Sequence, residues 1–223
     1  MIEKAEELLF AVRQKLPVER ITEDIAQIEL PKLKTELVDD HHRIVFWVNL
    51  YNAYYQILRR DLELNRPRIF TKRVIPIAGT YWSLDDIEHG ILRKYRFKYS
   101  LGYFTDFFTP TIIRELAVQH IDYRIHFALN CGAVSCPPIA FYSLDNLENQ
   151  LDEATQNFLR AATIIDKVKR EVAVTRIMFW FIKDFGGKAG IKKIIEKNLN
   201  LSLKGYKVRF QDYSWDEQLD NFI

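Results

Sequence analysis

Apolar residues recur at helical spacing through the first sixteen positions. Met1 to Leu16 mixes Leu, Val and Phe with Glu, Lys and Arg, which predicts an amphipathic helix. Pro17 and Pro31 then punctuate a polar stretch, expected to be irregular up to about residue 40. From about His41 to Arg60 the chain is apolar almost all round, the pattern of a central buried helix. At about 100° per residue, Asn49, Asn52 and Gln56 of that helix fall in one narrow arc. Buried amides need partners. The stripe is therefore expected either to fix neighbouring loops or to face another polar element inside the fold.

Arg66-Pro67 breaks this helix, Ile69 to Ile77 reads as extended, and Gly79 marks a turn. Ser83 with Asp86 three positions later is a variant of the capping box and predicts a helix from Leu84 to Tyr95. On its wheel, Leu84, Ile87, Ile91, Leu92 and Tyr95 make one apolar arc with Glu88 at its centre, while Asp85, His89, Arg93 and Arg96 lie on the polar side. A carboxylate centred on an apolar face is costly unless it is paired or functional. Two readings are open: an ion pair with a buried arginine, or a carboxylate that orients a reacting group. His89 projects about 100° away on a regular helix, so the two need not address one partner.

Thr109-Pro110 predicts a helix start with a run to about His120. Arg124 to Cys131 alternates Ile, Phe and Leu with His, Ala and Asn, the period of a strand, and a Gly-containing turn with Pro137-Pro138 ends it. Ser143 caps a helix from Leu144 to Ala162, and Ile164 to Thr175 reads as a hairpin. Ile177 to Phe185 reads as a helix stopped by Gly186-Gly187, Ile191 to Leu199 as another, and Tyr206 to Phe210 as a last strand. This order predicts an α+β fold: one compact domain with helices around a small antiparallel or mixed sheet. The expected parts are a helical segment over 1–39 packed on the core, a main domain over 40–216 and a tail over 217–223.

Composition changes little in this picture. An apolar fraction of 48% with 13% aromatics suffices for a core, and 28% charged residues with a net charge of +2 suit a soluble globular protein. Near-balance argues against a dedicated nucleic-acid or anionic-membrane surface. The apolar run Ile44–Tyr55, interrupted by two asparagines, is too short to span a bilayer. A cytoplasmic location is the resulting expectation.

Both cysteines lie in Cys131-Gly132-Ala133-Val134-Ser135-Cys136. With no ligand pair at zinc spacing, neither a metal nor a cofactor is expected. A thiol at the end of an apolar segment with histidines available suggests covalent chemistry. On an extended strand Cys131 and His126 take opposite faces. His89 is therefore the expected base, with Glu88 orienting it. Asn52 or Gln56, together with the backbone of the Gly132 turn, would serve an oxyanion. Other readings of the cysteines are a buried structural thiol, Cys136 as the nucleophile, a resolving thiol or a loop staple, and a Cys131–Cys136 disulfide.

Three ordered segments carry a family resemblance. Phe46-Trp47-Val48-Asn49-Leu50-Tyr51-Asn52-Ala53, Ser83 to Arg93, and Arg124 to Ala133 with Ser135-Cys136-Pro137-Pro138 resemble the DUF547 domain. Trp180 with Lys183-Asp184-Phe185 and Asp212-Tyr213-Ser214-Trp215 resemble its closing motifs, so the likeness spans roughly 40–216. The resemblance carries over Asn49, Asn52, Glu88, His89, Arg93, His126, Cys131, Ser135 and Cys136. The residue types are similar to those of thiol peptidases and transglutaminase-like enzymes, which makes a papain- or transglutaminase-like core one expectation. The expected function is a cysteine-dependent hydrolase or acyltransferase acting on an amide or thioester of a peptide or small molecule. In it Cys131 is nucleophile, His89 base, Glu88 orienter, and Arg93 a balance for Glu88 or a substrate carboxylate. The alternatives are a binding or scaffold domain with a buried polar network, and a thiol redox protein.

Overall fold

The helix expected around residues 41–60 is the axis of the molecule. The computed structural model describes residues 1–223. Helix α4, Asp40–Arg60, starts where the Asp39 carboxylate accepts the His42 N–H and ends in Arg59 and Arg60, which suit a helix C-terminus. Nearly every side chain from Ile44 to Leu58 is buried. Helix α1, Ile2–Arg13, lays Ala5, Leu8, Leu9 and Val12 against it, the i, i+3, i+4, i+7 stripe that its sequence shows.

The stretch expected to be irregular instead forms helices α2, Glu19–Ala26, and α3, Leu30–Glu36. Each is about two turns long. Pro31 sits in the first turn of α3, where its missing N–H costs nothing. Helices this short are marginal alone; burial of Ile25, Leu33 and Leu37 in the main core holds them.

The segment expected to be extended from Ile69 begins with a helical turn, α5, Arg68–Thr71, before strand β1, Ile75–Ile77, pairs antiparallel with β2, Thr80–Trp82. Helix α6, Thr111–Leu116, stops four residues before the expected end. Beyond it the Val118 N–H bonds to Ile91, and Gln119 and His120 donate to the Asp40 carboxylate at 2.6 and 2.9 Å. Helix α7 is Leu147–Ala162.

A second, smaller core lies under strands β3, Ile164–Asp166, β4, Glu171–Val174, and β5, Lys207–Phe210. The β3–β4 pair is the expected hairpin, and β5 joins β4 in parallel, so the sheet is mixed. Helix α8 is a single turn, Ile177–Trp180, followed by turns, and α9, Gly187–Leu199, starts earlier than the sequence suggests. No helix is long and apolar enough to cross a membrane.

Arg124–Cys131 is not a strand. Tyr123–Phe127 forms a 3₁₀ helix capped by Asp122, and a loop follows. The partner of this segment is a side chain: Asn52 donates to the Ala128 carbonyl and accepts from the Asn130 N–H, both at 2.9 Å. One amide thus satisfies two backbone groups that a neighbouring strand would otherwise serve. Asn49 does the same for Tyr142, donating to its carbonyl at 2.7 Å and accepting its N–H at 3.2 Å. Gln56 accepts the Asp220 N–H at 3.2 Å. The amide stripe of α4 is therefore a set of clamps on three remote segments.

Candidate active site

The C-terminal segment runs back along the cysteine loop. Val134 N–H bonds to Asp216, Gln218 to Gly132 and Ile139 to Asn221, while Ser135 Oγ accepts the Ser214 N–H at 2.9 Å. This strap carries Tyr213 and Trp215 over the loop. Trp180 packs on both, with ring centroids 4.8 and 5.6 Å away, so the three rings form an aromatic wall. Arg66 fixes the loop from the other side, donating to the carbonyls of Cys131 at 2.9 Å and Trp215 at 2.7 Å. Gly132 turns the chain at φ +63°, and a Cβ there would collide with the Tyr55 ring, so glycine is required on two counts.

These elements enclose a cavity of about 420 Å³ with largely apolar walls, a size that suits a small ligand. Cys131, Cys136, Glu88, His89 and His126 all line it, as do Tyr51 and Tyr213. Asn49, Asn52, Gln56, Arg93 and Ser135 stand behind it and do not line it. The Asn52 amide is engaged at both ends by the backbone and the side chain does not line the cavity, so it does not reach an oxyanion there.

The cysteines are joined as a disulfide, with Cα atoms 6.1 Å apart, inside the usual range for such a bridge. The expected free thiol is thus half of a cystine here. The Tyr213 hydroxyl lies 3.0 Å from Cys131 Sγ and 3.1 Å from Cys136 Sγ, and Cys131 N–H donates to Cys136 Sγ at 2.9 Å.

Glu88 and His89 address the same cavity, although a regular helix would separate them. Ser83 and Asp86 form the expected reciprocal cap, but Asp86–Leu92 is a π-helix. Its wider turns narrow the angle between consecutive residues, and both Glu88 and His89 line the cavity. Arg93, expected on the polar side, is fully buried, with its N–H on the Glu88 carbonyl. It does not pair with the Glu88 carboxylate; its Nε donates to Asp184 Oδ2 at 2.7 Å.

Glu88 accepts only from the Tyr51 hydroxyl, at 3.1 Å. Burial raises its carboxyl, against the pull of the Arg93 charge, to about 7. Burial and the Arg93 charge together hold the His89 imidazole well below its ordinary range, hence neutral at pH 7. Arg93 Nη1 lies 2.9 Å from His89 Nδ1. A guanidinium only donates, so Nδ1 accepts and the ring proton sits on Nε2, 3.6 Å from Asp85 Oδ1. His89 therefore has no free lone pair.

His126 has the opposite arrangement. Its Nε2 lies 3.0 Å from Asp184 Oδ2. Burial opposes ionisation of Asp184, but hydrogen bonds from His126 and Arg93 outweigh it and bring the carboxyl down to about 2. Asp184 is thus an acceptor, Nε2 carries the His126 proton, and Nδ1 keeps its lone pair. Burial lowers the His126 pKa as well. Phe181 stacks on this imidazole at 4.0 Å and under the Arg93 guanidinium at 4.4 Å. Because the segment is not a strand, His126 and Cys131 do not take opposite faces: both line one cavity.

The structure adds Asp184, Tyr51 and Tyr213 to the expected site residues. Asp184 had a signal, a single carboxylate within the aromatic run Phe179 to Phe185. Tyr51 and Tyr213 stand in segments that carry the family resemblance, but nothing in their residue type marks either for the cavity.

Glu88 ties stability to pH. Its native pKa is raised from 4.5 to about 7. Between those values the native state binds the extra proton, so stability is full below about 4.5 and falls as pH rises to about 7. The expected loss is about 3 kcal/mol, at roughly 1.4 kcal/mol per unit. Buried neutral His89 and His126 act in the opposite direction, weakening the fold below about pH 6.5. The Glu88→Gln variant separates the two effects: urea unfolding at pH 5 and pH 8 should show the alkaline loss in the parent and not in the variant.

A family model described as "Protein of unknown function, DUF547" matches residues 35–159, more than half of the chain. No curated protein and no solved structure matches it. The matched span contains both cysteines, Glu88, His89 and His126; Asp184 and Tyr213 lie beyond it. The chain belongs to the DUF547 family.

Proposed function

We propose that the protein is a thiol-dependent hydrolase or acyltransferase that acts on an amide or thioester of a small acyl substrate. The observation that carries this reading is the convergence of Cys131, His126, Glu88 and His89 on one apolar-walled cavity. In the reduced protein, Cys131 Sγ attacks the carbonyl carbon and its proton passes to His126 Nδ1. Asp184 orients that ring and stabilises its cationic form, as in other nucleophile–base–orienter sets. His126 then returns the proton to the departing amine or thiol, and water or a second acceptor releases the acyl group. His89 presents Nε2–H as a neutral donor to the carbonyl oxygen, and Glu88, near 7, offers a second exchangeable proton at neutral pH. The base is thus His126, where the sequence alone favoured His89.

A second reading rests on the disulfide itself: a thiol–disulfide redox protein working on a small molecule. The two differ in what they ask of Cys136. Small amides and thioesters should turn over with the reduced protein only, and Cys136→Ser should keep that activity and resist oxidants. Loss of activity in Cys136→Ser together with reduction of a disulfide substrate by the parent would replace the hydrolase reading with the redox one.

A further inference from the structure

Between the π-helix and α6 the chain exposes an unusual number of aromatic rings. Phe97, Tyr99, Tyr103, Phe104, Phe107 and Phe108 are all exposed, Phe107 at 80% and Phe108 at 96%. The loop is nonetheless built. Phe97 N–H bonds to the Phe104 carbonyl, Arg96 bridges to Thr105, and Arg114 donates to the carbonyls of Phe107 and Thr109. Gly102, at φ +86°, fits only without a side chain, because a Cβ would lie 2.5 Å from Asp184 Oδ1. Lys183 N–H ties the Leu101 carbonyl to the same place.

Along this segment cations outnumber carboxylates. From Lys94 to Arg114 there are four cations, Lys94, Arg96, Lys98 and Arg114, and one carboxylate, Asp106. Lys98 is paired with Asp85, but Lys94, Arg96 and Arg114 bond to carbonyl or hydroxyl oxygens and form no ion pair. Lys183 likewise lies over the Tyr103 ring at 5.8 Å. Phe97 and Phe108 line one surface cleft in which Arg73, Arg96 and Lys98 stand beside Asp85, Asp86 and Asp106, and Tyr99 and Leu101 line the main cavity.

Such rings cannot be explained as core, and contiguous exposed apolar surface marks interaction sites. Aromatic side chains clustered beside cations suit the boundary between lipid headgroups and acyl chains, where rings insert and cations meet anionic lipid. We propose that the 97–108 loop seats this protein on an anionic phospholipid bilayer, with the cavity mouth turned to the lipid surface. The near-neutral net charge, which argues against such a surface when averaged over the chain, conceals this local excess. The inference does not depend on the thiol chemistry.

The test uses the full chain with phosphatidylcholine vesicles, with and without phosphatidylserine. Co-sedimentation is expected with the anionic vesicles, weakening as salt rises. Phe107→Ser with Phe108→Ser should lower the bound fraction about tenfold, as expected when inserted apolar area is lost; both side chains are exposed, and circular dichroism checks folding. Should that pair misfold, Phe104→Ser gives the same reading on its own. Failure to sediment with either vesicle, or binding that the variants leave unchanged, overturns the proposal. So does a concentration-dependent dimer, seen by light scattering, that the variants dissolve without any vesicle binding.

Discussion

Asp184→Ala is expected to destabilise the fold by about 3–5 kcal/mol, the range for removing one partner of a buried ion pair. The Arg93 and Asp184 side chains are 0% and 1% exposed, and Asp184 is the only carboxylate within ion-pair distance of the guanidinium. Without it the cation stays in an apolar setting, held by the Phe181 ring and the His89 nitrogen. His126 loses its orienting partner at the same time. Adding Arg93→Met should recover most of the loss, because an orphaned charge costs more than a missing pair. Urea unfolding of the single and double variants, with coupling read from the cycle, checks this. A single variant within about 0.5 kcal/mol of the parent, the range of ordinary surface changes, would mean that the network carries little of the fold.

The second large effect concerns activity. Cys131→Ser and His126→Gln should each lower kcat/KM by about 10³-fold or more, and the double variant should be little worse than either single one. Residues that act as a unit show that non-additivity. His89→Gln should cost less, on the order of 10²-fold, as for one oxyanion donor. It should act on kcat more than on KM, since its Nε2–H is needed only as charge develops on the carbonyl oxygen. The opposite order, with His89 essential and His126 dispensable, would return the base to His89 despite its engaged Nδ1.

What the sequence made legible was local. The α4 pattern, the Ser83–Asp86 cap and the β3–β4 hairpin depend on neighbours within a few residues, and each formed where expected. The alternation of Tyr123–Phe127 mimics a strand, while the groups that bind the following loop belong to Asn52, more than seventy residues earlier. Helices α2 and α3 were missed because each buries too few residues to show a period. The π-register of Asp86–Leu92 has no signature in residue types, so the regular wheel separated Glu88 from His89 and put Arg93 outside. Glu88 and Cys131 were legible as anomalies, a carboxylate on an apolar face and a thiol at an apolar end. Their shared cavity was not, since the strap that closes it comes from residues 213–218.

The most direct test of the account is the pH dependence of Cys131 alkylation in fully reduced Cys136→Ser protein. A thiol paired with the His126–Asp184 dyad ionises below its ordinary value of about 8.5. Iodoacetamide should therefore label Cys131 rapidly at pH 6, and His126→Gln should shift the profile to that of a free thiol. Labelling that follows an ordinary thiol in both proteins would contradict an activated nucleophile at Cys131.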